Sequence, residues 1–575
     1  MSRDLSDPTA TRPLGVALLL ALAVASCGDP DARAMSGMPE FCQNVLPSVE
    51  AHLAALPTPG GERYGGTAVV GGIGEIPDGM NSLVSADHGA NQHQIFMNLM
   101  TLLRANGDLE LEPYLARDWE LNEDLTEVTF HLRDDVVWHD GEPTTAHDVE
   151  FTYLRATDPN TGFPNAAFWD HYVGGADGVE VLDEHTIRFR LTPHAELLDP
   201  WRSTAILPRH LLGDVPPDEL RQHPFGTRCP VGNGPFVFQE HRQDESWSFV
   251  RNPGFPEELG GPPYLDRYVY RVIPEQTTLL TELLTETVDV YVAPLPDQTP
   301  QIEASEALEL RAFPFRNYIF VGWNSRRPQL ADPRVRRALT MGTDRAEIVE
   351  ALFRGYGQVA NAGVPPFHWA HHEGIADALP HDPDGAAALL EEAGWVDRNG
   401  DGVREDAEGN RLEVSIRFNS DRTRQEIAEI MQAQLSEIGV AVQPEVVEWA
   451  TLVEQITSAD ARTFDGVVMG WVTEFKVDDH DLFHSTKSEQ PYGWAGIGND
   501  RLDVLLDTLQ LVVDRSEALP LWHEYQELLV ELQPYTYVAF PRRLAGVNRR
   551  LQGVEMDVRG EWVSVADWWI PADRR

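Results

Sequence analysis

Hydrophobic and polar residues repeat with different periods along this chain, and each change of period marks an element. The first is an unbroken apolar run at 14–25 (LGVALLLALAVA), preceded by Arg3 and Arg12. It is too short to span a bilayer as a helix, but it has the length of the apolar segment of a secretory signal. Residues 28–66 are rich in Asp, Pro and Gly, with one apolar patch near 45–56, and read as a tether. Thr67-Ala68-Val69-Val70, bounded by glycines, predicts a short buried strand. At 90–103 (ANQHQIFMNLMTLL) apolar residues recur at helical spacing. Residues 125–133 alternate as a strand does, and Val136-Val137-Trp138 follow. His139-Asp140-Gly141 turns the chain, because Gly reaches the positive φ of a tight turn. Thr145 then caps a helix that runs through Tyr153. Residues 178–191 read as a hairpin around Asp183-Glu184.

The apolar run ends in Val24-Ala25-Ser26-Cys27, which resembles the lipobox of bacterial lipoproteins. That resemblance implies removal of residues 1–26 and acylation of Cys27. Two or more acyl chains would then hold the protein durably outside the inner membrane. Cys42 and Cys229 remain, in an oxidising compartment. Two readings stay open for them, a disulfide closing nearly the whole first lobe or two free thiols.

Length and charge narrow the picture further. At 575 residues the chain exceeds what one hydrophobic core serves, so two or three lobes are expected. Lys plus Arg total 45 against 92 Asp plus Glu, a formal net charge of -47 spread along the whole chain. Such a surface repels phosphate backbones and anionic headgroups, which excludes nucleic acid as a partner. Lys476 and Lys487 are the only lysines. Adaptation to high salt and an arginine-favouring genome explain this composition equally well.

Several short motifs occur in a fixed order. They include Leu115-Ala116-Arg117-Asp118-Trp119, Thr129-Phe130-His131-Leu132-Arg133, Val137-Trp138-His139-Asp140-Gly141-Glu142-Pro143 and Thr145-Ala146-His147-Asp148-Val149. Farther on come Gly232-Asn233-Gly234-Pro235-Phe236, Asn324, and Asp332-Pro333-Arg334-Val335-Arg336-Arg337-Ala338-Leu339. Together they resemble the family 5 solute-binding proteins, the dipeptide-, oligopeptide- and nickel-binding receptors of ABC importers. Read on their own, Trp119, Trp138 and Phe151 are core residues and Asp140-Gly141 is a turn, so these motifs mark a fold and not a ligand contact.

The resemblance implies an α/β, periplasmic-binding-protein-like two-lobe fold of the class II (cluster C) type, with an extra domain on lobe 1. The expected division is a signal peptide at 1–26, a tether at 27–66 and lobe 1 at 67–295, with its extra domain near 100–205. Lobe 2 follows at 296–540, and 541–575 returns to lobe 1. Ligand would sit in the cleft and be buried by hinge closure, without covalent chemistry. Some dipeptide-binding relatives carry a Cys pair in comparable places. Peptide binders hold the ligand ammonium with a carboxylate shortly after a Gly-Trp pair. Here Gly470-Trp471 is followed by Glu474, one methylene longer than the usual Asp. Trp471 and Trp494 are candidate pocket walls, with core as the alternative, and Asn324 is a further candidate contact.

No cofactor is required by this reading. Asp397, Asn399, Asp401, Val403 and Glu408 fit a calcium-loop pattern, D-x-N-x-D-G with Glu at its twelfth position, as a structural clip. Ala386 to Ala393 precedes the loop as a helix, but 412–418 follows as a strand, so it is not a helix–loop–helix hand. His368, His371 and His372, and separately His480 and His484, have spacings that suit a transition metal. The expectation is therefore a monomeric, lipid-anchored, periplasmic (extracytoplasmic) binding protein with a peptide ligand and a permease partner. Alternatives are a metal chelate, an opine or an oligosaccharide as ligand, a signalling receptor, and a secreted hydrolase. The chain has neither G-x-S-x-G nor H-E-x-x-H, which argues against two common hydrolase types.

Overall fold

The computed structural model describes residues 38–575, apart from 86, 165, 167, 168, 170–172, 174–177 and 474. The signal run and Cys27 lie outside the described residues. The tether expected at 27–66 is corrected at once, because α1 (Glu40–Ala55) occupies much of it. Cys42, Val45 and Val49 fall on one side of this helix and are its buried residues. Val45 and Val49 join the core of the first lobe. Cys42 is bonded to Cys229 across 187 positions, with a Cα–Cα distance of 5.6 Å.

The chain then enters the first lobe with β1 (Thr67–Gly72). The helix expected over 90–103 spans His88 to Asn98 and stops there, the chain being extended at Leu99. Its apolar continuation does not mark a helix face: Leu99, Met100, Leu102 and Leu103 are all fully buried. At the stopping point the Asn98 carbonyl accepts the Gly234 N–H at 2.9 Å. A Cβ on Gly232 would lie 1.6 Å from that carbonyl oxygen, which is why this turn is glycine-rich.

A hairpin of β2 (Leu103–Ala105) and β3 (Leu111–Pro113) leads into the extra domain. There β4 (Ala116–Leu121), β5 (Glu127–Leu132), β6 (Val179–Asp183) and β7 (Thr186–Arg190) form a sheet in the order β4-β5-β7-β6. Packed on it is α2 (Ala146–Thr157), whose start is fixed by the Asp148 carboxylate accepting the Thr145 N–H at 2.8 Å. The lobe continues through β8 (Phe236–Arg242), β9 (Ser246–Arg251), β10 (Arg267–Val272), β11 (Val290–Val292) and β12 (Leu308–Phe313).

The second lobe holds β13 (Asn317–Trp323), β14 (Gly357–Val359), β15 (Glu413–Phe418), β16 (Ala441–Val446), β17 (Gly466–Val472) and β18 (Tyr535–Pro541). Their order is β14-β18-β13-β17-β15-β16. Three of its helices matter below: α3 (His480–Phe483), α4 (Asp500–Leu511) and α5 (Arg515–Leu532). The final strand, β19 (Arg543–Asn548), returns to a seven-stranded sheet ordered β12-β19-β11-β1-β10-β9-β8.

That sheet order moves the lobe boundary. Lobe 1 was expected to end at residue 295, but β12 pairs with β19 along its whole length and still belongs to the first lobe. The outward crossing is therefore at 314–316. The return is at Arg542, between β18 and β19. Arg542 also ties the return to the end of β12, its Nη2 donating to the Ala312 carbonyl at 2.7 Å.

Motif residues explain much of the second lobe's packing. Arg336 is buried and donates to the carbonyls of Leu330, Leu532 and Gln533, so it closes the C-terminal end of α5 with a positive charge. Burial lowers its guanidinium to about 10, still charged at neutral pH. Arg345 is likewise buried and donates to the carbonyls of Ala360 and Tyr537.

Candidate functional site

A segment that follows β7 reaches across to the second lobe. The Ala195 N–H donates to the Gln510 carbonyl on α4 at 2.8 Å. Next to it, the Glu196 carboxylate accepts Nε and Nη2 of Arg515 at 3.0 and 2.8 Å and the Trp369 indole N–H at 3.1 Å. The Arg515 guanidinium also lies over the Trp369 ring, 5.2 Å from its centroid. Glu196 has φ 54, a left-handed conformation that costs a non-glycine residue about 1–2 kcal/mol. The contacts to lobe 2 offset that cost only while the lobes are together. Beside them, Lys476 Nζ lies 2.8 Å from His194 Nδ1 and 3.5 Å from Asp478. Burial lowers the Lys476 ammonium.

Two cavities flank this contact. The larger, about 450 Å³, has walls from the first lobe and from Phe475 of the second. Phe475 is held between two cations, Arg202 of the first lobe at 4.2 Å and Arg316 of the crossing at 4.5 Å. Ile95 and Phe255 give the cavity apolar surface, while Arg104, Arg202 and Arg559 and the carboxylates Glu112, Glu555 and Asp567 line it with both signs of charge. Burial and the charge of Glu555 push the Asp567 carboxyl up, against the lowering effect of Arg104. The smaller cavity, about 280 Å³, lies in the second lobe and is lined by Tyr318, Trp471, Tyr492 and three carboxylates, Asp478, Asp479 and Asp481. Burial raises Asp479 to about 6, although its Oδ2 accepts the Tyr525 hydroxyl at 2.5 Å. Both volumes are of the size that takes a small ligand.

The expected contact residues separate on this map. Trp471 lines the smaller cavity. Trp494 does not: it is 1% exposed and packs against Phe320, Phe464 and Tyr535 in the core. Asn324 is also internal, its amide donating to the carbonyls of Arg462 and Phe464, which satisfies its donors without a ligand. Glu474 lies outside the described residues; its neighbours Thr473 and Phe475 line the smaller and larger cavity respectively. Sequence reasoning missed Glu196, Arg515 and Asp479. Glu196 and Arg515 meet only in three dimensions, and Asp479 gains its place beside Tyr525 only from the fold. Lys476 carried a signal, as one of two lysines in an arginine-rich chain.

The candidate metal residues are rearranged in the same way. In the loop from Asp397, the carboxylates that converge are Asp397, Asp401 and Glu405, within 4.8 Å of one another. Glu408 is not in that group; it belongs to a turn built on Asp406, whose Oδ1 accepts the Glu408 and Asn410 N–H groups. The bridge pairing Glu405 with Val396 turns the ninth loop position inward instead. Asn399 donates to Glu405, Arg411 pairs with Asp401, and the Val403 N–H donates to Asp401 at 3.0 Å. His368, His371 and His372 turn to three separate partners, the Phe475 carbonyl, the Val364 carbonyl and Glu527. Burial holds His368 down at about 4.

Among the described residues no helix is long and apolar enough to cross a membrane. The chain is 28% identical over 530 residues to the oligopeptide-binding protein AppA of Bacillus subtilis, covering 91% of this chain and 95% of AppA. It is 26% identical over 474 residues to heme-binding protein A of Haemophilus influenzae, covering 79% of this chain and 82% of that protein. The solved structure of AppA in complex with a nonapeptide matches 89% of this chain and all of its own, with a TM-score of 0.73 at 28% identity. The family model for bacterial extracellular solute-binding proteins, family 5, middle region, matches residues 110–493. Two lobes joined by two adjacent crossings, a cavity walled from both sides and that match over more than half its length together place the chain in the bacterial extracellular solute-binding proteins of family 5.

Proposed function

We propose that this protein captures peptides outside the cytoplasm by hinge closure and delivers them to the permease of an ABC importer. The observation that carries the reading is the larger cavity, which presents both signs of charge on a partly apolar wall between the lobes. A peptide is a zwitterion with a hydrogen-bonding backbone, so it can satisfy both signs at once. AppA, whose structure holds a nonapeptide, supports the same ligand class. The protein acts as a monomer tethered by lipid on Cys27, and its role is binding without chemical change of the ligand.

Within this reading Glu474 anchors the ligand's ammonium. A charge-assisted hydrogen bond of this kind contributes about 1.5–3 kcal/mol, or roughly 10–150-fold in affinity. Glu474→Ala is expected to weaken free-amine peptides by that factor in calorimetry and to leave their N-acetylated forms nearly unchanged. Equal weakening of both forms would remove Glu474 from the anchor.

We further propose that the loop from Asp397 binds calcium as a structural clip, through Asp397, Asn399, Asp401 and Glu405. Oxygen donors of this kind suit a hard cation, which would displace Arg411 from Asp401. A chelator is expected to lower the melting temperature by a few degrees, and added calcium to restore it. Asp401→Asn should abolish both responses. A wild-type protein with identical melting curves in chelator and in calcium would contradict the clip.

A further inference from the structure

Outside both cavities, three ligand-type side chains of the second lobe converge. His480 opens α3 and His484 follows its last residue, four positions on, so their rings stack with centroids 4.4 Å apart. Asp507 meets them from α4, its Oδ1 lying 3.2 Å from His480 Nε2 and 3.4 Å from His484 Nε2. The candidate donor atoms of all three lie within 4.8 Å of one another. The histidine side chains are 15% and 8% exposed, whereas Asp507 is 62% exposed and leaves an approach from solvent.

Two features go beyond an ordinary histidine–carboxylate pair. Donor atoms held 2.0–2.1 Å from a tetrahedral ion lie about 3.3 Å from each other, and the two nitrogen–oxygen distances, 3.2 and 3.4 Å, bracket that value. The far nitrogen of each ring also faces an oxygen. His484 Nδ1 accepts the Thr486 N–H at 3.2 Å and lies 2.7 Å from Thr486 Oγ1, and His480 Nδ1 is 3.9 Å from Asp481, which Lys487 holds in place at 2.9 Å. His480 can keep its proton on Nδ1 toward Asp481, and on binding an ion the His484 proton would move from Nε2 to Nδ1, where Thr486 Oγ1 accepts it, which leaves both Nε2 atoms as metal donors. The frame does not depend on an ion. One turn before Asp507, Asp503 accepts the N–H and hydroxyl of Ser485 at 2.8 and 2.5 Å, so α3 and α4 are already in register.

We propose that His480, His484 and Asp507 form a binding site for a divalent transition-metal ion of the zinc type. Two imidazoles and one carboxylate favour such an ion over calcium or magnesium, and the exposed side leaves a fourth position for water. The ion is a resident clip and not cargo. It would join α3, which continues from the cavity-lining Asp478 and Asp479, to α4, whose Gln510 carbonyl meets Ala195 of the first lobe. The site stands independently of the peptide reading.

The test uses the full chain, stripped with chelator, dialysed and titrated with zinc chloride in a calorimeter, then with cobalt(II) in a spectrophotometer. The wild type is expected to take up one tight equivalent of zinc and to show the intense visible bands of four-coordinate cobalt. Asp507→Asn and His484→Ala should lose those bands and bind zinc at least about 100-fold more weakly, beyond the 10–100-fold typical of outer-shell changes. Asp397→Asn, in the separate acidic loop, should bind zinc as the wild type does. Asp507 is on the surface, so matching melting curves in chelator will show that Asp507→Asn is folded. Equal zinc uptake and affinity in the wild type and Asp507→Asn would overturn the site, as would zinc held only by histidines elsewhere.

Discussion

Replacing Cys42 and Cys229 together by serine is expected to lower the unfolding free energy of the first lobe by about 4–5 kcal/mol. The two residues are 187 positions apart, and a cross-link over so long a loop removes a large share of the unfolded chain's freedom. The folded state gains nothing comparable when the bond is cut. Both cysteines are fully buried, and α1 would keep only its apolar face and the edge contact of Phe41 with His223, at 4.5 Å. Denaturant titration of the double variant, and of the wild type with and without reductant, measures the effect. A first-lobe transition at the same midpoint in all samples would contradict it. Ligand affinity at moderate temperature should change far less than stability, because neither cysteine lines a cavity.

The second large effect concerns closure. Glu196→Gln keeps the size of the side chain but removes the charge that receives Arg515, and it can no longer accept at both oxygens. A charge-assisted pair of this geometry contributes about 1.5–3 kcal/mol when desolvated. Arg515 is 48% exposed, so solvent screening reduces the expected loss to roughly 1–2 kcal/mol. Those contacts join the two lobes, so the loss falls on the closed state alone. A ligand that needs the closed state then binds more weakly by the same factor, about 5–30-fold, mostly through faster release. Stopped-flow and calorimetry of Glu196→Gln against the wild type will show it. Unchanged affinity and unchanged release would mean that this contact does not bias closure.

The fold was legible because its determinants are local or strongly typed. The Thr145–Asp148 cap, the Asp140-Gly141 turn and the hairpin at Asp183-Glu184 are written in a few adjacent residues. Motif residues such as Arg336 specify packing and not ligand, which is why they identify the architecture and remain silent on specificity. The lobe boundary was misplaced because β11 and β12 belong to one sheet through β19, which lies more than two hundred positions later. The end of the helix at Asn98 was missed because a fully buried passage is apolar on every side and mimics a helical repeat.

The cleft was less legible for the same kind of reason. Glu196, Trp369 and Arg515 come from three distant stretches and look like ordinary surface residues one by one. Trp494 was chosen for residue type and Asn324 from the motif it belongs to, yet the core had a use for both. The calcium pattern named Glu408 as its last acid, but the Val396–Glu405 bridge, invisible in the loop pattern, brings Glu405 inward beside Asp397 and Asp401 instead.

The most direct test is the distance between the lobes. Fluorophores placed at Leu121 and Val446, exposed positions on the first- and second-lobe sheets, report it by energy transfer in ligand-free protein and with a defined set of free-amine peptides. The account predicts a shorter distance with a bound peptide, and a smaller shift at the same peptide concentration in Glu196→Gln. A peptide that binds, by calorimetry, while the distance stays at its ligand-free value would contradict capture by closure.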